Sequence, residues 1–214
     1  GDFRSGYYRD QTFMMAINEL TPKQFFAGLY AHTDIEAEPF SAGRQMGGHF
    51  STSSLNTDGS WKNLTKQKNS SPDISPTAGQ MPRLLGLAYA SKFYKENLEL
   101  HTLTQFSNKG NEVAFGTIGD ASTSEGPFWE TINAAGVLQV PMVISVWDDD
   151  HGISVSKKFQ TTKESISEIL KGFQRDKDNK GYEIIKTKGW DYIHLCETYE
   201  KAVKIAREEH VPVL

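Results

Sequence analysis

The sequence predicts an α/β fold built on a doubly wound, mainly parallel sheet. In the second half of the chain, apolar runs of strand length alternate with amphipathic segments of helical length. An acidic turn follows each of two of these runs, and ligand sites of such folds lie beyond the carboxyl ends of the strands. With 214 residues, 37% of them hydrophobic, the chain is expected to form one domain over 1–214.

Two short helices are predicted near the start, in QTFMMAINEL and PKQFFAGLYA. Thr21 can cap the second helix, and Pro22 suits its first position. Over residues 34–78, polar residues and glycine replace most apolar ones, so that a long irregular loop region is predicted. Loops of this length are usually functional or disordered.

The next segments predict a helix, a strand, a helix and a strand, which together contain a βαβ unit. In order they read GQMPRLLGLAYASKFYKEN, EVAFGTI, SEGPFWETINAAGVLQ and PMVISVW. The last third repeats the alternation with TTKESISEILKG, YEIIKT, ETYEKAVKIAREEH and VPVL. Since the chain starts without Met and VPVL reads as a strand just begun, we expect truncation at both ends.

Composition excludes several classes of protein. The formal net charge of -4 gives no basic surface for nucleic acid, and no apolar run approaches the roughly 20 residues of a membrane span. The single cysteine, Cys196, excludes a disulfide framework and is expected to be an inert buried thiol. A reducing compartment is therefore predicted, the cytoplasm or, in a eukaryote, the mitochondrial matrix.

The first acidic turn, IGDASTSEG, places Asp120 directly after a strand. Small residues around it allow backbone N–H groups to approach an oxyanion, and the following helix offers its positive end to phosphate. Magnesium bridging Asp120 to a diphosphate would balance the charges. A carboxylate that only caps the next helix is the alternative.

The second acidic turn, VWDDDHGIS, crowds Asp148, Asp149 and Asp150 together. Three adjacent carboxylates repel one another unless they are solvated, protonated or bound to a cation. One helix and one strand separate the two turns, so both can offer oxygens to one ion. A solvated surface turn is the alternative.

These segments carry a resemblance to a known family. Residues 119–154, GDASTSEGPFWETINAAGVLQVPMVISVWDDDHGIS, resemble the thiamine diphosphate motif that runs from Gly-Asp-Gly to Asn-Asn. In particular, they look like the alpha subunit of the first component of 2-oxo acid dehydrogenases. GYYRDQ, GRQMGGHFS and ISPTAGQMPRLLGLAYA resemble further segments of that family in the same order, so that the similarity spans nearly the whole chain.

The resemblance implies a thiamine diphosphate-binding fold and a set of site residues. The implied cofactor contacts are Tyr8, Arg9, Ser75, Thr77, Gly119, Asp120, Ala121, Ser122 and Asp149. The implied magnesium ligands are the side chains of Asp120 and Asp149 and the carbonyl of His151. His49 matches a histidine that faces the substrate and is the implied catalytic residue.

Three features depart from the family pattern. Ala121 replaces the third glycine, Asp148 and Asp149 replace the Asn-Asn pair, and Trp147 stands where relatives can carry arginine. The added charge at Asp149 predicts stronger dependence on magnesium and on Arg9, or else weak cofactor binding. A transketolase-like alignment would make Asp150 the metal ligand instead.

The resemblance implies decarboxylation of a 2-oxo acid and transfer of the acyl group to the lipoyl arm of an acyltransferase component. The glutamate that activates the cofactor lies on a beta subunit or fused beta domain in related enzymes, and no segment here resembles it. We therefore expect the chain to be inactive without a beta partner. The alternatives are a transketolase-type ketol transfer, a noncatalytic assembly subunit and a magnesium-dependent phosphohydrolase.

Overall fold

The computed structural model describes residues 1–45 and 47–214. Its sheet has four parallel strands in the order β2-β1-β3-β4. They are β1 (Phe3–Tyr7), β2 (Asn69–Ile74), β3 (Ala114–Gly119) and β4 (Met142–Trp147). The chain enters at β1 and continues to both sides of it, which confirms the predicted doubly wound parallel sheet.

The helices follow the predicted order with shifted ends. They are α1 (Gln11–Ala16), α2 (Pro22–Leu29), α3 (Gln80–Glu96), α4 (Gly126–Leu138), α5 (Ile166–Ile169) and α6 (Tyr192–Glu209). Thr21 caps α2 as predicted, accepting a hydrogen bond from the Gln24 N–H at 3.2 Å. The helix predicted at 161–172 is reduced to α5 and short 3₁₀ turns, because Lys163 and Glu164 take left-handed backbone angles.

Two strands of the four-stranded sheet were not predicted from the sequence, β1 and β2. The prediction of irregular structure over 34–78 is wrong at its end, where β2 pairs in parallel with β1. Both strands bury polar side chains, so neither shows an apolar pattern. Pro72 is tolerated because β2 lies at the edge of the four-stranded sheet, where a missing N–H breaks no ladder.

The sheet is covered on both faces. Met142 and Ile144 of β4 join a core cluster with α3 and α4, whereas Val143 joins Ala202 and Ala206 of α6. Successive side chains of a strand point to opposite faces, so the two clusters lie on opposite sides of β4. Because both faces are covered, a ligand can reach the sheet at the ends of its strands rather than through its faces.

The C-terminal third extends the parallel arrangement through single bridges. Val213 bridges both Val143 and Glu183, so the segments predicted as strands at 182–187 and 211–214 pair only in part. Cys196 lies on α6 and is exposed, which contradicts the expected buried thiol, because its position faces solvent rather than the sheet. None of the described helices has the length and apolar character needed to cross a membrane.

His210 gives the fold a dependence on pH. It ends α6 in the left-handed conformation and is only 9% exposed. Burial lowers the pKa of its imidazole to about 4, and Lys95 contributes in the same direction. The folded state therefore resists protonation that the unfolded state accepts, so stability is lost as pH falls from the ordinary histidine pKa of about 6.5 towards 4.

We expect His210→Asn to remove this part of the acid sensitivity, since Asn tolerates the left-handed conformation and does not titrate. Urea unfolding at pH 7 and pH 4.5 should show a loss on the order of 1–3 kcal/mol in the wild type that is smaller in the variant. Equal losses in the two proteins would contradict the assignment. Asp73, whose pKa burial raises to about 6, acts in the opposite direction and is common to both.

Candidate functional site

The segments singled out from the sequence meet at the carboxyl ends of the four strands, which we call the carboxyl edge of the sheet. Because β1 to β4 are parallel, their carboxyl ends lie side by side. Arg9 follows β1, Ser75 follows β2, Asp120 follows β3 and Asp148 follows β4. The strand order reverses between β1 and β3, which is the position where open sheets of this order bind ligands.

Arg9 lies against the glycine that precedes the first acidic turn. A Cβ added to Gly119 would be 3.2 Å from Nη2 of Arg9, so the guanidinium covers the end of β3. The carbon of this guanidinium also lies 5.2 Å from the centre of the Tyr7 ring, a cation–π distance. Arg9 and Tyr8 are exposed and free to meet a ligand, whereas Tyr7 is buried.

Tyr7 is a site residue that sequence reasoning missed. Burial raises the pKa of its phenol, and the hydroxyl of Thr77 counteracts this by hydrogen bonding. Tyr7 therefore links Arg9 at the end of β1 to Thr77 beyond the end of β2. The doubled tyrosine before Arg9 was the available signal, since one aromatic residue supports the arginine and the other is exposed beside it.

Asp120 is a buried carboxylate that forms no ion pair with a basic side chain among the described residues. It is 4% exposed, and none of the ion pairs among the described residues includes it. Burial is the main cause that raises its pKa, and the charges of Asp148 and Asp149 raise it further. A cation between these carboxylates would reverse both effects.

The second acidic turn is paired with a nearby cation, Lys157. Its ammonium pairs with Asp150 and lies 3.8 Å from a carboxylate oxygen of Asp148. Lys157 lowers the pKa of Asp150, while Asp149 belongs to none of the ion pairs among the described residues. Sequence reasoning missed this lysine, although three adjacent carboxylates were themselves a signal that a basic residue should be sought.

This distribution of ion pairs favours Asp149 over Asp150 as the carboxylate that would share a cation with Asp120. Asp149 Oδ1 accepts the His151 N–H at 3.2 Å, which brings the backbone of His151 close to that carboxylate. Within the described part of the chain, no three His, Cys, Asp or Glu side chains form a metal cluster. The implied set needs only two carboxylates and a carbonyl, and Mg²⁺ usually completes its shell with water and phosphate oxygens.

Ala121 fits the turn in which relatives place glycine. It begins a 3₁₀ turn, Ala121–Ser124, and does not take a left-handed angle, so alanine is not strained there. Its methyl group instead occupies space at Gly152, where an added Cβ would lie 2.6 Å from Cβ of Ala121. The two acidic turns therefore pack together through an alanine and a glycine.

We expect Gly152→Ala to push the second acidic turn away from Asp120 and to weaken metal-dependent ligand binding about tenfold. Removing the opposing methyl should relieve this clash. The Gln160 amide, 2.6 Å from the same Cβ, is the end of a flexible side chain that can move aside, so the double variant Gly152→Ala with Ala121→Gly should recover most of the binding. Titration calorimetry of the two variants beside the wild type measures this. Equal loss in the single and double variants would show that the contact between the turns is not the cause.

His49 and Ser75 form a pair at the other end of the edge. Nε2 of His49 is hydrogen-bonded to the Ser75 hydroxyl, and Nδ1 is buried without a hydrogen-bond partner among the described residues. The end of β2 lies two strand spacings, about 10 Å, from the end of β3 and three, about 14 Å, from the end of β4, so this pair is separated from both acidic turns. Ser122 is 9% exposed beside Asp120, and Met46 of the GRQMGGHFS segment lies outside the described residues.

Together, the fold and this edge define an α/β protein with a polar candidate site at the switch point of a parallel sheet. The model of the family Dehydrogenase E1 component matches residues 1–214, the whole chain, and the chain belongs to this family. This confirms the resemblance given by the motifs.

Curated relatives agree with the family. The chain is 26% identical over 213 residues to the 2-oxoisovalerate dehydrogenase subunit alpha of Bacillus subtilis, covering 100% of this chain and 53% of that protein. It is 28% identical over 172 residues to the mitochondrial subunit alpha of the same name from Dictyostelium discoideum, covering 80% and 32%. The chain thus spans about half or less of the length of these relatives.

A relative of a different name matches a shorter region. The 1-deoxy-D-xylulose-5-phosphate synthase of Aliarcobacter butzleri is 31% identical over 99 residues, which is 45% of this chain and 16% of that protein.

Proposed function

We propose that the chain is the alpha-type part of a 2-oxo acid dehydrogenase and holds thiamine diphosphate and magnesium at the carboxyl edge of its sheet. One observation carries the proposal. The buried carboxylate of Asp120, unpaired among the described residues, lies near Asp149 at the switch point, while Arg9 covers the adjoining backbone of Gly119. A cation with a bound diphosphate satisfies both the acidic and the basic groups of this edge.

Each end of the edge has a separate task in this proposal. Magnesium would be held by the carboxylates of Asp120 and Asp149 and by the His151 carbonyl. The diphosphate would be held by Arg9 and by the backbone N–H groups of Ala121 and Ser122. Tyr8, Ser75 and Thr77 contact the rest of the cofactor, and His49 stabilises the substrate carboxylate or the acyl group. When bound, thiamine diphosphate supplies the electron sink for decarboxylation, and the protein supplies position and field.

The whole reaction requires more than this chain. We propose a beta subunit or fused beta domain that completes the active site, and a lipoyl acyltransferase component that takes the acyl group from the 2-oxo acid. The names of the curated relatives, which are alpha subunits, support this division. The cytoplasmic location, or the matrix location in a eukaryote, stays a prediction.

Calorimetric titration with thiamine diphosphate, with and without magnesium, tests the proposal. We expect binding that requires magnesium and tightens when a beta partner is added. No binding in either case would contradict the cofactor assignment and favour the alternative of a noncatalytic assembly subunit.

Transketolase-type ketol transfer is the second candidate, favoured by the similarity to a 1-deoxy-D-xylulose-5-phosphate synthase. Both candidates predict magnesium-dependent cofactor binding, so the substrate separates them. Turnover that depends on a sugar phosphate and not on a 2-oxo acid with a lipoyl acceptor would select the second.

A further inference from the structure

A buried ionic cluster lies in the sheet beneath the candidate site and is used by none of the roles given above. Arg4 of β1 is 3% exposed, with Nη2 2.9 Å from Oδ2 of Asp10 and Nη1 2.8 Å from Oδ1 of Asp73. Nη1 also donates to the Ser70 hydroxyl at 2.6 Å. We call Asp10, Arg4 and Asp73 the buried triad.

The chain leaves room for this cluster at one glycine. A Cβ on Gly6 would lie 2.1 Å from both the guanidinium of Arg4 and the carboxylate of Asp73. The triad therefore occupies the space on the face of the sheet where a side chain at position 6 would lie.

Asp10 connects the segment of Tyr8 and Arg9 to β3 through hydrogen bonds. Its Oδ2 accepts the Tyr7 N–H at 3.3 Å and the Thr117 hydroxyl at 2.7 Å. Asp10 directly follows Tyr8 and Arg9, whereas Thr117 lies three residues before Asp120. One carboxylate thus fixes the start of the arginine segment relative to the strand that leads to the first acidic turn.

Asp73 ties the histidine segment to β2. Its Oδ2 accepts the Phe50 N–H at 3.2 Å, and its own N–H donates to the Phe50 carbonyl at 3.0 Å. Phe50 follows His49, and Ser75 lies two residues after Asp73, so the same backbone pairing brings the two partners of the His49–Ser75 contact together.

The charges of the triad do not balance, which argues against a purely stabilising role. One guanidinium faces two carboxylates, and burial raises the pKa of Asp73 to about 6 although Arg4 opposes this. Asp73 Oδ1 has no partner among the described residues besides the Arg4 guanidinium, and Arg4 Nε has no hydrogen-bond partner among them. Buried ion pairs often contribute less to stability than apolar residues of the same volume would.

We propose that the buried triad is a positioning unit, which holds the Tyr8–Arg9 segment and the His49–Ser75 pair at fixed places relative to the strand leading to Asp120. Arg4 contacts no ligand in this role and acts through Asp10 and Asp73. The inference rests on the proposed function only for the identity of the ligand, since the placement of the segments is a property of the chain.

Hydrogen exchange tests the proposal in the purified protein, together with its partner subunit where one co-purifies. Asp73→Leu removes the acceptor for the Phe50 N–H, and Asp73→Asn keeps an oxygen there at similar size. We expect exchange of residues 47–52 to accelerate roughly tenfold with Leu and to stay within about twofold of the wild type with Asn. Thiamine diphosphate affinity should follow the same order.

A second variant tests the contact between Asp10 and β3. It still tests the proposal if Asp73→Leu does not fold. Thr117→Val preserves shape but loses the hydroxyl that donates to Asp10, so exchange of the 7–10 segment should accelerate. Ser107→Ala is the control, because Ser107 is buried and hydrogen-bonded to Glu112 near the amino end of β3, away from the site. It should leave both segments unchanged.

The two proposals fail differently. Unchanged exchange in folded Asp73→Leu or Thr117→Val, or equal acceleration by Ser107→Ala, would overturn the positioning role whatever binds. Accelerated exchange in these variants, together with a wild type that does not bind thiamine diphosphate, would support the positioning role and contradict only the proposed function.

Discussion

Gly6→Ala is expected to lower the free energy of unfolding by about 3–5 kcal/mol, the range for breaking a buried ion pair. The added methyl group would lie 2.1 Å from Cζ and Nη2 of Arg4 and from Oδ1 of Asp73. The end of an arginine can usually move aside, but this one is 3% exposed and held by two carboxylates and a hydroxyl. Either the ion pairs separate or β1 shifts, and both outcomes are costly.

Gly86→Ala is the matched control for this substitution. Gly86 lies in α3, and a Cβ there would meet no atom within 4 Å. Alanine inside a helix is favoured over glycine, so this variant should gain roughly 0.5–1 kcal/mol. Urea unfolding of both variants beside the wild type measures the difference, and a Gly6→Ala protein as stable as the Gly86→Ala protein would refute the steric argument.

The predictability of the fold differed between its two halves for a physical reason. The segments that form α3, β3, α4 and β4 bury apolar side chains, so hydrophobic periodicity locates them. The strands β1 and β2 bury Arg4, Ser70 and Asp73, whose burial is possible only because they satisfy one another. Such partners are distant in the sequence, and no local pattern reports them.

The candidate site was predictable to a similar extent. Local motifs identify its acidic turns and Arg9. The parallel sheet brings together the ends of the strands that these segments follow. The packing between the turns was not predictable, since the contact of Ala121 with Gly152 and the pairing of Lys157 depend on how two separate loops meet. The substitution of alanine for the family's glycine becomes understandable only when its neighbour is known.

The roles of Asp149 and Asp150 in the second turn can be separated by single alanine substitutions. Asp149→Ala leaves no side-chain oxygen for the ion and should weaken magnesium-dependent binding, whereas Asp150→Ala should change it little, because Lys157 already holds Asp150. The reverse result would select the transketolase-like alignment, in which Asp150 is the ligand. Either outcome fixes the register of the motif.

Asp120→Asn is expected to weaken magnesium-dependent binding of thiamine diphosphate by about 100-fold or more, since loss of even an outer-shell partner of a metal typically costs 10–100-fold. The same change should leave the protein at least as stable as the wild type at pH 7. Burial and the charges of Asp148 and Asp149 raise the pKa of Asp120, so its charged form is disfavoured by folding and Asn removes that penalty. Opposite movement of binding and stability is what separates a ligand from a structural residue. A carboxylate that only caps the turn after β3 would be replaced by Asn at little cost in stability, since Asn caps equally well, and binding would stay almost unchanged. Calorimetric titration and urea unfolding of one preparation therefore decide between the two roles.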